Sequence, residues 1–461
     1  MIHSIQDTIA AIATPPGKGA IAVLRLSGHR SFEIAQSVVK SNVHFNSVKP
    51  ASVVYGQILS TESAEPIDTV LVTKFKAPHS YTGEDVIEIS CHGSPFITHE
   101  ILNLLLQRGA RLAEPGEFTK RAFIHGKLDL LQAESVADII DAQTRQSRKQ
   151  SQAQLSGVLS ETILSLKERL KQQAALLEVE LDFADEDVEF ADRQDILKNI
   201  DELSEQIEVI ISTFEYGKIL REGAHLVIAG KPNVGKSSVL NRLLQEDRAI
   251  VSDTPGTTRD IIEESLDIQG MLFKISDTAG LRLSKDAIES EGVNRTKRIL
   301  ANADIILFIV DPSINEEAQD REAFEMIRSL VEGRFVLVKN KIDLGVYSVD
   351  SNFTNHFDTV CNLSAKTGEG FAQLENTLKH VIHHQHDVES NAVINKVRHK
   401  DALMRTRDHL MHARASLQQN LSPEFVALDL RSALNALGEL AGEVTTEDIL
   451  NDIFSQFCIG K

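Results

Sequence analysis

Eight residues constrain this chain most: Gly230-Lys231-Pro232-Asn233-Val234-Gly235-Lys236-Ser237. They follow an apolar run, His225 to Ala229, that reads as a buried strand. They precede Val239 to Leu244, which reads as the start of an amphipathic helix. The pattern G-x-x-x-x-G-K-S between a strand and a helix is a phosphate-binding loop. Its glycines let successive backbone N–H groups turn inward around a di- or triphosphate. Lys236 brings positive charge to the β- and γ-phosphates, and the Ser237 hydroxyl can ligate Mg²⁺. The helix N-terminus adds a partial positive charge at the same place.

Four further segments follow in an order that specifies the base. Ile262 to Ile268 and Met271 to Ser276 read as paired strands leading into Asp277-Thr278-Ala279-Gly280. An Asp at a strand end is placed to reach Mg²⁺ through water, and Gly280 can offer its N–H to a γ-phosphate. Thr258, within Gly256-Thr257-Thr258-Arg259-Asp260, can ligate the same Mg²⁺. Loops ordered by γ-phosphate and Mg²⁺ relax on hydrolysis, which makes a switch. Phe335 to Lys339 reads as a strand ending in Asn340-Lys341-Ile342-Asp343. Asp343 can accept from N1–H and the 2-amino group of guanine, whereas adenine offers neither. Ser364-Ala365-Lys366 can close over guanine O6. The expected GTP-binding set is Asn233, Val234, Gly235, Lys236, Ser237 and Ser238, then Ser252, Asp253, Thr254, Pro255, Gly256, Thr257 and Thr258. It continues with Asp277, Thr278, Ala279 and Gly280, then Asn340, Lys341 and Asp343, and ends with Ser364, Ala365 and Lys366.

Leu281 follows the second switch motif, where many GTPases place the glutamine that orients the attacking water. Leucine cannot polarise water. The stretch Arg282 to Glu291 offers three carboxylates, and one on a mobile loop can act through a bridging water. No arginine stands out as a finger, so a cation is an alternative. The Asn233 side-chain carbonyl and the backbone of 252–257 could surround a monovalent ion; equally, Asn233 could simply stabilise its loop.

The rest of the chain falls into two further patterns. Residues 1–125 alternate short apolar runs (Thr8 to Ala13, Ala20 to Leu26, Thr69 to Phe75, Asp85 to Ser90) with helical stretches near Ser31 to Val39 and Pro95 to Arg108. This is an α+β pattern. Arg25, Glu88 and His92 interrupt or flank the strands, as residues alternating out to solvent do. From Leu128 to Leu220, and again from Ile394 to Leu421, the period becomes helical, implying a bundle. The second stretch is locally basic, with Lys396, Arg398, Lys400, Arg405, Arg407 and Arg414. It is either a nucleic-acid-facing helix or a solvated one, and a net charge of −19 confines any nucleic-acid site to such local patches. The acidic run 178–187 reads as a solvated connection. The three cysteines, far apart, fit a reducing compartment, and no run is apolar enough to span a bilayer. With no secretion-type N-terminus, a cytoplasmic protein is expected. The ending Phe457-Cys458-Ile459-Gly460-Lys461 fits a prenylation box poorly, leaving a buried or site-lining tail as the alternative.

The phosphate loop, Gly256-Thr257-Thr258-Arg259-Asp260, Leu281 and the terminal pentapeptide closely resemble the MnmE (TrmE) family of tRNA uridine-modification GTPases. Ala13-Thr14-Pro15-Pro16-Gly17, Tyr81-Thr82-Gly83-Glu84-Asp85 and Glu114-Pro115-Gly116-Glu117-Phe118 match as well. The resemblance spans essentially the whole chain. It implies an α+β N-terminal domain similar to folate-binding domains (1–125), a discontinuous α-helical bundle domain (126–221 and 384–461) and an inserted α/β P-loop GTPase domain (222–383). It implies a homodimer that works with the flavoprotein MnmG, in a heterotetramer, on C5 of the wobble uridine of certain tRNAs. The one-carbon unit would come from a 5-formyl- or methylene-type tetrahydrofolate, with FAD belonging to the partner. By motif position, folate binding falls to Arg25, Glu88, Lys127 and Lys461. Potassium ligation falls to Asn233, Ser252, Thr254 and Thr257, and Mg²⁺ ligation to Ser237 and Thr258. Glu289 would orient the attacking water, and Cys458 matches the family's C-terminal cysteine. The competing expectation is a regulatory switch, such as a ribosome-assembly GTPase, with the same nucleotide motifs and no chemistry on RNA.

Overall fold

The structure is a computed structural model. It describes residues 7–60, 65–182, 193–246, 263–277, 299–314, 317–331, 333–345, 350–383, 392–443 and 446–461. The chain divides into two compact units. One comprises Met1–Ala137, Gln154–Glu168 and Leu434–Lys461; the other comprises Asp138–Ala153 and Arg169–Ala433.

The first unit is built on a seven-stranded sheet. Its strands are β1 (Ile9–Ile12), β2 (Ile21–Ser27), β3 (Val39–Lys40), β4 (Val53–Leu59), β5 (Pro66–Phe75), β6 (Val86–His92) and β7 (Arg111–Leu112). Their order is β3-β4-β5-β6-β2-β1-β7, antiparallel except for the β1–β7 pair. Leu24, Leu26, Val70, Val72, Ile87 and Ile89 point to one face, where Ile101, Leu104 and Leu105 of the helix Pro95–Gln107 cover them. Strand β4 is absent from the sequence expectations because Gly56 interrupts its apolar alternation. A Cβ there would lie 2.5 Å from Val39 Cγ1, so glycine is what lets β3 and β4 approach.

An ion network holds one flank of this unit. Arg121, only 5% exposed, pairs with Asp7 at 2.5 Å, Glu84 at 3.1 Å and Glu117 at 2.9 Å. Arg111 also reaches Asp7 and Glu117. Burial pushes the Asp7 and Glu117 carboxyls up, but hydrogen bonds from Arg111 and Arg121 outweigh it and hold both below the usual carboxylate range. A depressed pKa adds stability above the unfolded value, near pH 4, and loses it as pH falls through the folded value. Arg121→Leu is therefore expected to lower stability by about 3 kcal/mol at pH 7, because it leaves Glu84 without its cation and Asp7 and Glu117 with Arg111 alone. The deficit should shrink towards pH 3, as protonation removes the unpaired charge. Thermal melts of both proteins across that range measure it; a deficit independent of pH would contradict the assignment.

The second unit carries a six-stranded sheet of β8 (Ala224–Ala229), β9 (Glu263–Ile268), β10 (Met271–Asp277), β11 (Ile305–Val310), β12 (Arg334–Lys339) and β13 (Thr359–Asn362). The order is β13-β12-β11-β8-β10-β9, with only β9 antiparallel to its neighbour. All six residues of β11 are buried, as a central parallel strand covered on both faces requires. Leu243, Leu374 and Leu378 cover one face. Phe324, Phe353 and Phe357 cover the other, with Phe324 and Phe357 centroids 4.5 Å apart. This is the expected α/β nucleotide-binding architecture.

Two long helices of this unit, Arg193–Ser212 and Val397–Gln418, pack on each other. Arg414 pairs with Asp201 and Arg407 with Glu208, and Lys400 pairs with Glu215 of the next helix, Phe214–Glu222. Both series step by seven residues in opposite directions, the signature of antiparallel packing. Three cations of the basic stretch are thus engaged with acidic neighbours, which favours its reading as a solvated helix face. Among the described residues, no helix is long and apolar enough to cross a membrane.

Candidate functional site

Strands β8, β11, β12 and β13 are parallel and adjacent, so the loops that follow them leave the same edge of the sheet. Ligands of open parallel sheets bind at that edge. The phosphate loop follows β8, Asp311 follows β11, Asn340 to Asp343 follow β12, and Ser364 to Lys366 follow β13.

Close packing dictates the glycines of the phosphate loop. A Cβ on Gly230 would lie 2.3 Å from the Ile309 carbonyl oxygen, and one on Gly235 would lie 2.3 Å from Asn340 Nδ2. Both have positive φ, 137° and 96°. Asn233 has φ 67°, a left-handed conformation that asparagine tolerates better than most residues, and its side chain is exposed. Lys236 Nζ donates to the carbonyls of Gly230 and Lys231 at 2.8 and 2.7 Å, which holds the ammonium over the loop. Ser237 and Ser238 are exposed in the first turn of the helix Lys236–Glu246, where a hydroxyl can meet Mg²⁺. Val234 is buried and anchors the loop in the core.

Asn340 joins this loop to the base-recognition end. It is 1% exposed, its Nδ2 donates to Val234 O at 2.9 Å, and its Oδ1 accepts from Ala365 N–H at 3.0 Å. Lys341 has φ 64° and reaches back to Asn233 O at 2.9 Å and to Asp311 Oδ2 at 2.6 Å. Ser364 Oγ donates to Asp343 Oδ1 at 2.6 Å, fixing one carboxylate oxygen and leaving the exposed group able to accept from a base. Lys366 is exposed beside it.

Asp311 is missing from the sequence expectations. Burial raises its pKa, but hydrogen bonds from Lys341 and Ser313 outweigh this and keep the carboxyl below the usual range. The ionised group anchors the Lys341 ammonium. An Asp at the carboxyl end of a strand is the signal that could have found it, but no nucleotide motif marks Ile305 to Asp311.

Asp277 ends β10, and nothing is described of its side chain. Ser252, Asp253, Thr254, Pro255, Gly256, Thr257, Thr258, Thr278, Ala279, Gly280 and Glu289 lie outside the described residues.

The first unit gathers a second group of expected residues. Arg25 and Glu88 are register partners on β2 and β6, joined at 2.9 Å from Nε and 2.8 Å from the terminal nitrogen. Arg25 lies over the Tyr81 and Phe118 rings, 5.3 and 5.6 Å from their centroids, and reaches Gly460 O at 3.4 Å. The C-terminal tail is docked there by backbone bonds. Phe118 N–H donates to Lys461 O at 3.1 Å, and Pro115 pairs with Ile459 in an antiparallel bridge. Gly116, the left-handed residue before the helix Glu117–Ile124, leaves no room for a Cβ, which would lie 2.5 Å from Phe454 O. Phe454 and Phe457 bury their rings against Leu130 and Ala133, whereas Cys458 is exposed. The ending thus docks beside Arg25, with Phe457 buried. Lys127 Nζ donates to Pro78 O at 3.2 Å; it stands by the 78–83 loop, whose Tyr81 lies against Arg25.

A phosphate loop, a carboxylate for guanine and a buried asparagine linking them define a P-loop guanine-nucleotide-binding protein. The chain's relatives narrow the class. Residues 8–127 match the family model of the GTP-binding protein TrmE N-terminus, and residues 130–458 match that of the MnmE helical domain. A protein of Syntrophus aciditrophicus (strain SB) is 44% identical over 460 residues, covering 99% of this chain and all of its own length. Proteins of Geotalea uraniireducens (strain Rf4) and Aquifex aeolicus (strain VF5) are each 41% identical, over 459 and 458 residues, again covering 99% of this chain and all of theirs. All three bear the name tRNA modification GTPase MnmE. This chain belongs to the MnmE family.

Proposed function

We propose that this chain hydrolyses GTP in the cytoplasm as part of tRNA modification, joining MnmG to alter C5 of the wobble uridine with a folate-borne one-carbon unit. The observation that carries the reading is the pair of sites. One has a phosphate loop tied by Asn340 to Ala365, whose neighbour Ser364 holds the guanine-accepting Asp343, and the other gathers Arg25, Glu88 and the Gly460 carbonyl under a docked C-terminus. A pure switch has no use for the second.

In this reading 1–125, 126–221 with 384–461, and 222–383 are the folate-binding, helical and G domains, and the chain works as a homodimer. Lys236 neutralises phosphate charge. Ser237 and Thr258 hold Mg²⁺, which stabilises charge on the β- and γ-oxygens. Asn233, Ser252, Thr254 and Thr257 hold K⁺, a fixed positive charge in place of an arginine finger. Glu289 orients water through a second water. Arg25, Glu88, Lys127 and Lys461 hold the reduced folate, the Arg25 guanidinium offering a flat cation and Glu88 an acceptor. FAD stays with MnmG, and Cys458 is exposed beside the Pro115–Ile459 bridge that docks the tail.

Two measurements test the two halves. GTP turnover should be roughly a hundredfold faster in KCl than in NaCl, the worth of one preorganised charge in a transition state. Glu289→Ala should lower kcat by roughly the same factor with GTP affinity unchanged. Equal rates in the two salts would remove the cation. For the folate half, Gly460 is informative: its φ is 99° and a Cβ would lie 2.5 Å from Ile12 O. Gly460→Val should displace the tail, and strain of about 1–3 kcal/mol converts to a Kd for 5-formyltetrahydrofolate raised roughly tenfold to a hundredfold. GTP turnover should not change. Unaltered folate affinity would separate the tail from the site.

A further inference from the structure

The helices Val397–Gln418 and Pro423–Ala441 are joined by only four residues, 419–422, a connection that folds them back as an αα-hairpin. His412 lies six residues before the first helix ends, and Asp429 lies six after the second begins. At 1.5 Å per residue each sits about 9 Å from the turn, so they stand level with each other. His409 is one turn away from His412 on the same face. One ligand atom from each of the three side chains lies within 4.8 Å of the other two. The imidazole centroids are 6.4 Å apart, with the rings nearly perpendicular at 84°. His409 Nδ1 is buried and has no hydrogen-bond partner among the described residues.

We propose that His409, His412 and Asp429 form a binding site for a divalent transition-metal ion of the Zn²⁺ type. The donor set selects the ion. Two imidazoles and one carboxylate suit Zn²⁺, Co²⁺ or Ni²⁺, whereas Mg²⁺ and Ca²⁺ take oxygen ligands. Metal–ligand bonds of about 2.1 Å put tetrahedral ligand atoms about 3.4 Å apart, which side-chain rotation at the exposed His412 and half-exposed Asp429 supplies. Three protein ligands leave a fourth position for water. A buried ring nitrogen left without a partner costs about 1–3 kcal/mol, and an ion bound there removes that cost. The ion pins the hairpin at one level, so its binding stabilises the folded chain. This site is separate from the Mg²⁺ and K⁺ positions of the phosphate loop.

The test is a Co²⁺ titration of the full chain, stripped with a chelator and free of nucleotide and Mg²⁺, followed by visible absorbance. One equivalent should bind with the intense bands of a four- or five-coordinate site. His412→Ala and Asp429→Asn should each weaken that binding roughly tenfold or more. Both should keep wild-type GTP turnover, which reports that they fold. In parallel, Zn²⁺ should raise the melting temperature of the wild type and not of the variants. Absence of the bands in the wild type, or the same titration in all three proteins, overturns the site.

Discussion

Asp343→Asn is expected to bind GTP roughly a thousandfold more weakly and to prefer xanthosine triphosphate. In the proposed reading the wild-type Asp343 carboxylate accepts from both N1–H and the 2-amino group of guanine. Each such bond to a charged acceptor is worth about 1.5–3 kcal/mol; losing one, uncharging the other and setting two donors face to face spans roughly two to four powers of ten. Asparagine places an N–H₂ where the 2-amino group also donates, so donor faces donor. Xanthine carries a carbonyl at that position and restores the match. Ser364 Oγ, 2.6 Å from Asp343 Oδ1, can still donate to the amide oxygen, so the new side chain is held in the old orientation. Asp343 is exposed in the turn Ile342–Leu344, so stability should not change. Titrations with labelled GTP and its xanthine analogue decide it. Unchanged GTP affinity would mean that another group reads the base.

The nucleotide end was legible because its chemistry is local. The phosphate loop, the carboxylate for guanine and the serine that orients it each lie within a few residues of a strand's carboxyl end. The strands themselves are uninterrupted apolar runs such as Ile305 to Val310. What sequence reasoning missed depends on partners distant in the chain. Asp311 gains its meaning from Lys341, thirty residues on, and β4 is obscured by the glycine its neighbour requires. The tail is the clearest case. Its identity was readable, but its place depended on Gly116, Phe118 and Ile12, more than three hundred residues earlier. Arg25 and Glu88 each looked like a strand residue turned to solvent. Register alone pairs them, since β2 and β6 are antiparallel neighbours separated by three other strands in the chain.

The tail and the nucleotide end also differ in what secures them. The tail is held by backbone hydrogen bonds, by the buried Phe457 ring and by the absence of two Cβ atoms, so almost any side chain at Gly116 or Gly460 disturbs it. The nucleotide end is held by side chains that bond to loops, so its weak point is a residue serving two loops at once.

Asn340→Leu is therefore expected to abolish measurable GTP binding at concentrations that saturate the wild type. Leucine keeps the branched outline of asparagine but is bulkier, so it opens no cavity, and the loss falls on hydrogen bonds and on crowding. Without the amide, the Val234 carbonyl and the Ala365 N–H lose their partners in a site where Asn340 is 1% exposed. Each buried orphan costs about 1–3 kcal/mol, or about 2–6 kcal/mol together. Those two groups belong to the phosphate loop and to the Ser364–Lys366 loop proposed to close over guanine, so each loses its fixed position relative to the other. A nucleotide must then order both loops as it binds, and that cost comes directly out of its affinity. Leucine also places a methyl near the Asn340 Nδ2 position, 2.3 Å from where a Cβ on Gly235 would lie, and so crowds the turn that must curl around the phosphates. Affinity should fall at least a thousandfold for GTP and GDP alike, because the link acts on loop geometry rather than on the γ-phosphate. The melting temperature of the second unit, which carries Asn340, should fall by several degrees. Reduced-folate binding, proposed above to use Arg25 and the docked tail, should persist and would show that the rest of the chain is folded. A variant that binds GDP as the wild type does, while losing only GTP, would place Asn340 in γ-phosphate sensing instead of in the joint between the two loops.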